Sequence, residues 1–355
     1  MATPTELTLT LAPQGRFETI DVNARIRQEA GDVLRRYRSA LYCSLHTTAG
    51  YLDQSLSARL GHGHDRLSKF FGAFQRMFPE GGRYRHDQME LRTELSEAQR
   101  EVEPRNADSH LTFIGSGLRN CVTYRRQADD QPVYFIELDG TTPAARRTRR
   151  STVVAFDEER IVTRAELAIP VSRHPIDSVN LADPRLGLME QANELLARHG
   201  IRHGRVDLLI DPSERNAALT VNEYETLLMQ HDLADVLRDP LRFAALKGRS
   251  MLHDPLAIPG KTISYAMYDV VQVLNQLMEA LRLDQSSLER LVAKVMSVPA
   301  RRLVRTRRVS FLASSDATDG VTRVIRGTYQ SPILIQWQAA AGQARRVEVV
   351  LVELT

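Results

Sequence analysis

The chain opens on alternation. Glu6–Leu11 switches between polar and apolar positions as a half-buried strand does, Gln14-Gly15 offers a turn, and Phe17–Val22 reads as the returning strand. Asn23 is placed to cap a helix running to about Arg36, with Ile26, Ala30, Val33 and Leu34 on one face. Ser39–Leu45 is a short apolar run that delivers His46 to the carboxyl end of a strand. Helical spacing returns from Leu52 to about Phe78 and stops at Pro79-Glu80-Gly81-Gly82. A charged stretch leads to Pro104. Strands are then expected near His110, at Asn120–Tyr124, at Val133–Leu138 and, past the Asp139-Gly140 turn, within Arg146–Phe156. In Glu103–Ser116 the residues Asn106, Asp108 and His110 fall at alternate positions, so an extended segment puts all three side chains on one face. That polar face runs into the apolar Leu111–Ile114 and a Gly-Ser-Gly turn, a pattern that suits chemistry better than packing.

After the charged joint Asp157–Arg160 the pattern starts again. Ala165–Val171 and Pro175–Val179 read as strands, Leu186–His199 as an amphipathic helix capped by Gly200, and Val206–Ile210 as a short strand. Ile333–Gln338 followed by Arg345–Val352 parallels Val133–Leu138 followed by its arginines. This order predicts an α+β chain of two tandem copies of one unit, 1–156 and a diverged 161–355, each an antiparallel-rich sheet with packed helices. The second copy carries a helical insertion around 263–298, where Val270, Leu274, Leu277 and Leu281 form one stripe and Leu288, Leu291, Val295 and Val298 another.

A length of 355 residues accommodates two such cores, and a net charge of +3 excludes a chain that attracts polyanions as a whole. The basic residues clump at Arg146–Arg150 and Arg301–Arg308. The second run has no interleaved aromatics, reads as a solvated strand edge, and makes nucleic acid an unexpected partner. Cys43 and Cys121 lie in apolar runs and read as buried thiols, because two cysteines build neither a disulfide framework nor a metal-ligand spacing. The amino terminus lacks the basic start and apolar core of a signal peptide, and no run is long enough for a membrane span, so a cytoplasmic location and no membrane partner are expected.

One ordered set of motifs resembles a known family. His46-Thr47-Thr48-Ala49, Tyr84-Arg85-His86, Asn106-Ala107-Asp108-Ser109-His110-Leu111, Gly115-Ser116, Gln131, Glu137-Leu138-Asp139-Gly140 and Arg147 with Arg149 follow the order and rough spacing of the small YjbQ-like proteins, some of which are known as secondary thiamine-phosphate synthases. The family's N-E pair and its G-T-W-Q strand are missing from the first half, which has Gln54-Ser55 and Asp130-Gln131 there. The second half supplies Asn222-Glu223 and Gly327-Thr328-Tyr329-Gln330, and has Glu214-Arg215-Asn216 in place of H-T-T.

The resemblance implies a homo-oligomer, with trimers in the single-unit proteins. It also implies a metal-assisted enzyme acting on a phosphorylated small molecule. Its family reaction has a thiazole nitrogen displace pyrophosphate from a pyrimidine methylene. His46, His86 and His110 are the expected ligands of zinc or a similar divalent ion, because three imidazoles from separate segments leave a fourth position open. Asp108, Asn106 and Glu223 are the expected catalytic residues. Thr47, Thr48, Ser116, Gln131, Arg147, Arg149, Asn222 and Gln330 are expected to bind substrate, with Ser116 and the two arginines gripping phosphate. The residues leave other readings open: a metal-dependent hydrolase, a non-catalytic ligand or phosphate sensor with one retired copy, or an interaction protein whose insertion docks a partner. His62 and His64 read as a solvated loop between helical segments.

Overall fold

The structure is a computed structural model that describes residues 3–127, 131–141, 146–238, 304, 306–315 and 320–355. The expected helices of 263–298 lie outside the described residues, as do Asp130 and Arg301, Arg302 and Arg305 of the basic run. The chain folds into two compact units, Met1–Gln54 with Leu118–Glu223 and Arg305–Thr355, and Ser55–Gly117 with Tyr224–Val304.

Strands dominate the first unit. Its earlier part holds β1 (Thr5–Leu11), β2 (Glu18–Asp21), α1 (Val22–Ala30), β3 (Ser39–Ser44), β4 (Ala49–Gly50), β5 (Cys121–Arg125), β6 (Tyr134–Glu137) and β7 (Arg149–Phe156). Its later part holds β8 (Glu159–Pro170), β9 (Asp177–Asn180), α6 (Leu188–His199), β10 (His203–Ile210), β11 (Ala217–Asn222), β12 (Arg308–Ser315), β13 (Thr322–Ile325), β14 (Ser331–Gln336) and β15 (Ala344–Leu354). The two large sheets run β1-β7-β3-β5 and β8-β15-β10-β12-β13, and the two small ones β2-β6-β4 and β9-β14-β11, with every named pair antiparallel. One strand order is therefore used twice, and β13 is the addition in the second use. This is the α+β, antiparallel-rich fold that the hydrophobic pattern predicts.

Alternation along the strands explains the layers. Ala40 and Tyr42 of β3 turn to a core shared with Val22 and Ile26 of α1, while Leu41 and Cys43 turn the other way. There they join Cys121, Val154 and Phe156 in a buried cluster with Leu312, Val350, Val352 and Leu354 of the second large sheet. That sheet's outer face, with Val206, Leu208, Val349 and Leu351, packs on Leu188, Ala192 and Leu196 of α6. The inner strands are thus covered on both faces, which is why β3 reads Ala-Leu-Tyr-Cys with no polar interruption. Cys43 and Cys121 are buried free thiols, as expected.

The second unit is helical where described: α2 (Gln54–Arg59, its first residue in the other unit), α3 (His64–Met77), α4 (Glu97–Val102), α5 (Ala107–Ser116), a wide π-type turn at Leu227–Asp232, and α7 (Leu233–Arg238). Here the largest correction falls. Asn106–Ser116 is not an extended segment: Asn106 occupies the N-cap position of α5, and Gly117 ends the helix at φ 78°. Successive helix positions differ by about 100°, so Asp108 and His110 leave different faces. Nearly every residue of α5 is buried, leaving no polar stripe to announce the helix. Gly115 is a packing residue, since a Cβ there would meet Phe78 at 3.1 Å and Phe74 at 3.4 Å.

Smaller corrections have local causes. Asp21, not Asn23, caps α1 by accepting from the Ala24 N–H at 3.1 Å, and the helix ends at Gly31 rather than near Arg36. Asn23 is spent elsewhere, donating to the Gln131 carbonyl and accepting from the Tyr42 hydroxyl. The helix expected over Leu52–Phe78 is two helices, parted at Gly61 and His62, both with positive φ. β8 begins six residues before the expected Ala165, and α4, α7, β12 and β13 were not anticipated as elements.

One glycine carries the close approach between β3's exit and the Gly327–Gln330 turn: a Cβ at Gly327 would lie 1.9 Å from the Leu45 carbonyl oxygen. Because the obstacle is backbone, Gly327→Ala is expected to cost about 3 kcal/mol in chemical denaturation; unchanged stability would refute that approach.

Candidate functional site

Two polar clusters are built from the residues singled out in the sequence, one in each unit. In the first unit Arg149, the opening residue of β7, is 5% exposed and needs acceptors. It has four: its Nε and Nη2 grip the two oxygens of Glu137 (Nη2–Oε1 2.8 Å), and Nη2 also donates to Thr48 Oγ1 at 3.1 Å and the Asp139 carbonyl at 3.2 Å. Glu137, fully buried, further accepts from the Leu138 and Asp139 N–H groups. Asp139 takes Arg147 at 2.6 Å and Arg16 at 3.4 Å. His46 closes the cluster, its Nε2 accepting the Arg150 N–H at 2.8 Å and its Nδ1 lying 3.5 Å from Arg149 Nη1. Burial, then Arg149, Arg150 and Arg147, push this imidazole down to about 3, so it is neutral at physiological pH. From the later part of the unit, Gln330 donates to the Ser44 and His46 carbonyls, both at 2.9 Å, and Asn222 donates to the Thr47 carbonyl at 3.2 Å. Glu223 follows, its N–H on Asn222 Oδ1.

The second repeat holds the same cluster with its charges exchanged. Ladder register equates Glu137, opposite Ala49, with Gln336, opposite Ala217. Arg345 takes the place of Arg149, donating to Gln336 Oε1 at 3.3 Å and the Gln338 carbonyl at 2.6 Å. Glu214 takes the place of His46: it accepts from Arg345 at 2.9 Å and from the Arg346 N–H at 3.1 Å, as His46 accepts from the Arg150 N–H. Each buried arginine keeps one direct carboxylate partner, on the sheet in one copy and on the loop in the other.

In the second unit His86, 1% exposed, lies between two acceptors, Glu225 Oε2 at 2.9 Å from Nδ1 and Asn106 Oδ1 at 3.4 Å from Nε2. Burial pushes this imidazole down, but Glu225 and Asp87 outweigh it and hold the group above its ordinary value. Glu225 is fixed in turn by the Leu227 and Leu228 N–H groups, at 2.6 and 2.7 Å. Asp232 takes the Arg85 and His86 N–H groups, and buried Arg92 pairs with Glu94 and faces Glu225 at 3.9 Å. The His110 ring stands edge-on to His86 with centroids 5.4 Å apart. Asp87, accepting the Ala107 N–H, is raised to about 6 chiefly by burial.

Thus His86, Asn106 and His110 come together in one unit, and His46, Thr47, Thr48, Arg147, Arg149, Asn222 and Gln330 in the other. Asp108 is buried on α5 beside Ser109, and Ser116 sits in that helix's last turn, its hydroxyl 3.4 Å from the Phe113 carbonyl rather than in a phosphate-cradling loop. Gln131 precedes β6. Arg147 pairs with Asp139 and Arg149 with Glu137. Glu225 was passed over for Glu223. Its signal was a carboxylate placed two and three residues before backbone N–H groups that open an apolar helical run.

Among the described residues no group of three or more His, Cys, Asp or Glu side chains can hold a metal ion. The donors agree: His46 spends Nε2 on a backbone N–H and turns Nδ1 to a guanidinium, and both nitrogens of His86 are engaged. No described helix is long and apolar enough to cross a membrane.

Among solved structures the chain is similar to a YbjQ-like protein of unknown function from Sulfolobus solfataricus P2, at 13% identity and a TM-score of 0.27, over 55% of this chain and 99% of that one. It is similar to a hypothetical protein from Aeropyrum pernix K1 at 11% and 0.27, over 53% and 96%. It is also similar to an uncharacterised conserved YjbQ family protein from Clostridium acetobutylicum at 13% and 0.22, over 55% and 100%. No family model and no curated protein matches the chain. Likenesses of this size assign no activity.

Two expectations test the first cluster. Glu137→Gln is expected to destabilise the protein by about 3 kcal/mol, since it strips the carboxylate from buried Arg149. Adding His46→Glu recreates the neighbours of Arg345 and is expected to restore most of that loss; additive losses in the double-mutant cycle would sink the equivalence. His46 also sets a pH slope. Its folded pKa lies below the unfolded value near 6.5, so its contribution is complete above about 6.5 and lost as pH falls toward 3, by at most about 1.4 kcal/mol per pH unit. Stability measured against pH in His46→Gln is expected to lack that component, while the opposite-sign contributions of His86 and Asp87 persist in both proteins.

Proposed function

We propose that the protein is an acid–base enzyme acting on a phosphorylated small molecule, with protonated His86 as its proton donor. The observation that carries this reading is the buried His86–Glu225 pair, which orients an imidazole and favours its charged form. A desolvated imidazolium is suited to neutralise charge as it develops on a departing phosphate or pyrophosphate. The longer bond, to Asn106, is the one a leaving-group oxygen can displace, so Nε2 is the nitrogen that gives up the proton and Asn106 positions it.

The reaction we favour is transfer of the thiamine-phosphate synthase type. The thiazole nitrogen's lone pair forms the new bond to the pyrimidine methylene carbon as the carbon–oxygen bond to pyrophosphate breaks. The bonding electrons leave with pyrophosphate, which takes the His86 proton, and solvent reprotonates the neutral imidazole. No step is routed through a metal.

The test mixes purified protein with hydroxymethylpyrimidine pyrophosphate and thiazole phosphate and reads thiamine phosphate by fluorescence after oxidation. Product is expected, with kcat lowered roughly 10²–10⁴-fold in His86→Asn. Activity requiring the acid form falls as pH rises through the raised His86 pKa, and Glu225→Gln is expected to move that fall to lower pH. No product from the unaltered protein sinks the transfer; an unchanged kcat in His86→Asn sinks the donor.

A further inference from the structure

The chain contains two cysteines, and the fold sets them face to face. Cys43 of β3 and Cys121 of β5 are direct partners across the antiparallel ladder, 78 residues apart in sequence. The neighbouring pair is hydrogen bonded, the Ser44 N–H donating to the Asn120 carbonyl at 2.6 Å. At the far end of the same ladder the Arg126 N–H donates to the Arg38 carbonyl at 2.8 Å. Antiparallel partners alternate between bonded and non-bonded pairs, so Cys43 and Cys121 form a non-hydrogen-bonded pair. Such pairs bring their Cα atoms to about 4.5 Å and their side chains closest together. That spacing lies inside the range of roughly 4.4–6.8 Å that a disulfide spans. Both thiols are free and buried, with their sulfurs 2.8 Å apart. Closing that gap to a bond of about 2.0 Å is within the reach of side-chain rotation.

Packing does not require this pair. Thr152, opposite Cys43, stands three residues after Arg149, and Glu348 stands three after Arg345. Glu348 is opposite Leu209, and Leu209 is opposite Arg308. The second repeat therefore fills the two cysteine places with a leucine and an arginine. Leu209 packs on the same cluster between the large sheets as Cys43 does, so an aliphatic side chain serves that layer.

We propose that Cys43 and Cys121 are an oxidation site, closed by a hydroperoxide to a reversible disulfide that fastens β5 to β3. β5 is five residues long and lies at the edge of its sheet, paired with β3 alone among the described strands. Local opening of such a strand costs less than global unfolding, and it uncovers Cys121, the first residue of β5. While the pair is closed, burial and then Cys121 itself push the Cys43 thiol well above its ordinary value. Little thiolate is available there, so opening sets the rate.

The chemistry then runs in two displacements. The Cys121 thiolate bonds one oxygen of hydrogen peroxide as the O–O bond breaks, and the departing hydroxide takes a proton to become water. When β5 pairs again, the Cys43 sulfur attacks the sulfenic sulfur, the S–O bond breaks and a second water leaves. Two thiols lose two electrons and two protons, and the peroxide takes up both. The crosslink closes a ring of chain that contains all of Ser55–Gly117, and with it His86, Asn106 and His110. It uses none of the chemistry proposed for His86 and is read without substrate.

Treating the reduced, folded protein with hydrogen peroxide, then counting thiols in denaturant and mapping peptides without reduction, tests the assignment. Both thiols are expected to disappear together, leaving one Cys43–Cys121 crosslink within the chain. Urea below the unfolding transition is expected to speed that loss several-fold. The melting temperature is expected to rise by roughly 5 °C or more, because the crosslink closes a long loop in the unfolded chain, and to fall back in dithiothreitol. Cys43→Ala and Cys121→Ala are each expected to show no such rise on peroxide treatment. Two thiols persisting in millimolar peroxide, crosslinks between chains alone, sulfinic acid on one cysteine with the other still free, or an equal rise in the alanine variants would each overturn the proposal.

Discussion

Strands covered on both faces set the terms for the first unit. β3, β7, β10 and β15 have helix or small-sheet residues on one side and the opposing large sheet on the other, through Leu41, Cys43, Val154, Leu312, Val350 and Val352. A layer so placed tolerates no polar group without a partner. Arg149 and Arg345 sit at the margins of such strands, and each is surrounded by acceptors from neighbouring turns. The polar clusters are consequences of the packing before they are anything else.

The two copies answer the same demand differently. In one the carboxylate stands on the strand as Glu137, so the adjoining loop position can hold a neutral imidazole. In the other the strand position is the amide Gln336 and the loop position is the carboxylate Glu214. Moving one charge therefore decides which copy has a titratable nitrogen at that loop. The second unit makes the opposite choice with His86, where Glu225 favours the charged imidazole. Two histidines of one sequence are thus shifted in opposite directions, one pushed down to about 3 by burial and arginines, the other raised by carboxylates.

Much of the strand architecture was legible because alternation and apolar runs report burial directly. β1, β3, β10 and β15 fall where those patterns lie, and Gly200 ends α6 in the left-handed conformation expected of it. What escaped lacks a face. Asn106–Ser116 is buried all round, so strand and helix look alike, and only Asn106 and Gly117 at its ends mark the helix. α4 hid in a charged stretch, although Ser96 and Gln99 form a capping box. β8 is an edge strand whose first half is charged, with Arg160 and Arg164 paired to Glu353 and Glu348. Of the site, the histidines and arginines were legible as types. Their partners Glu137 and Glu225 were not assigned, because a buried pair is a matter of tertiary proximity.

The shared layer between the large sheets also bears on how the chain is made. The first sheet has all its strands once Phe156 has been synthesised, but Leu41, Cys43, Cys121, Val154 and Phe156 face a layer that includes Leu354. The opposing layer arrives in stages, Leu209 with β10, Leu312 with β12, and Val350, Val352 and Leu354 with β15. A nascent protein in this position carries an apolar sheet surface through some two hundred residues of elongation, an interval of roughly 10–40 s at ordinary translation rates. The layer between the two large sheets is therefore complete only once β15 has been made.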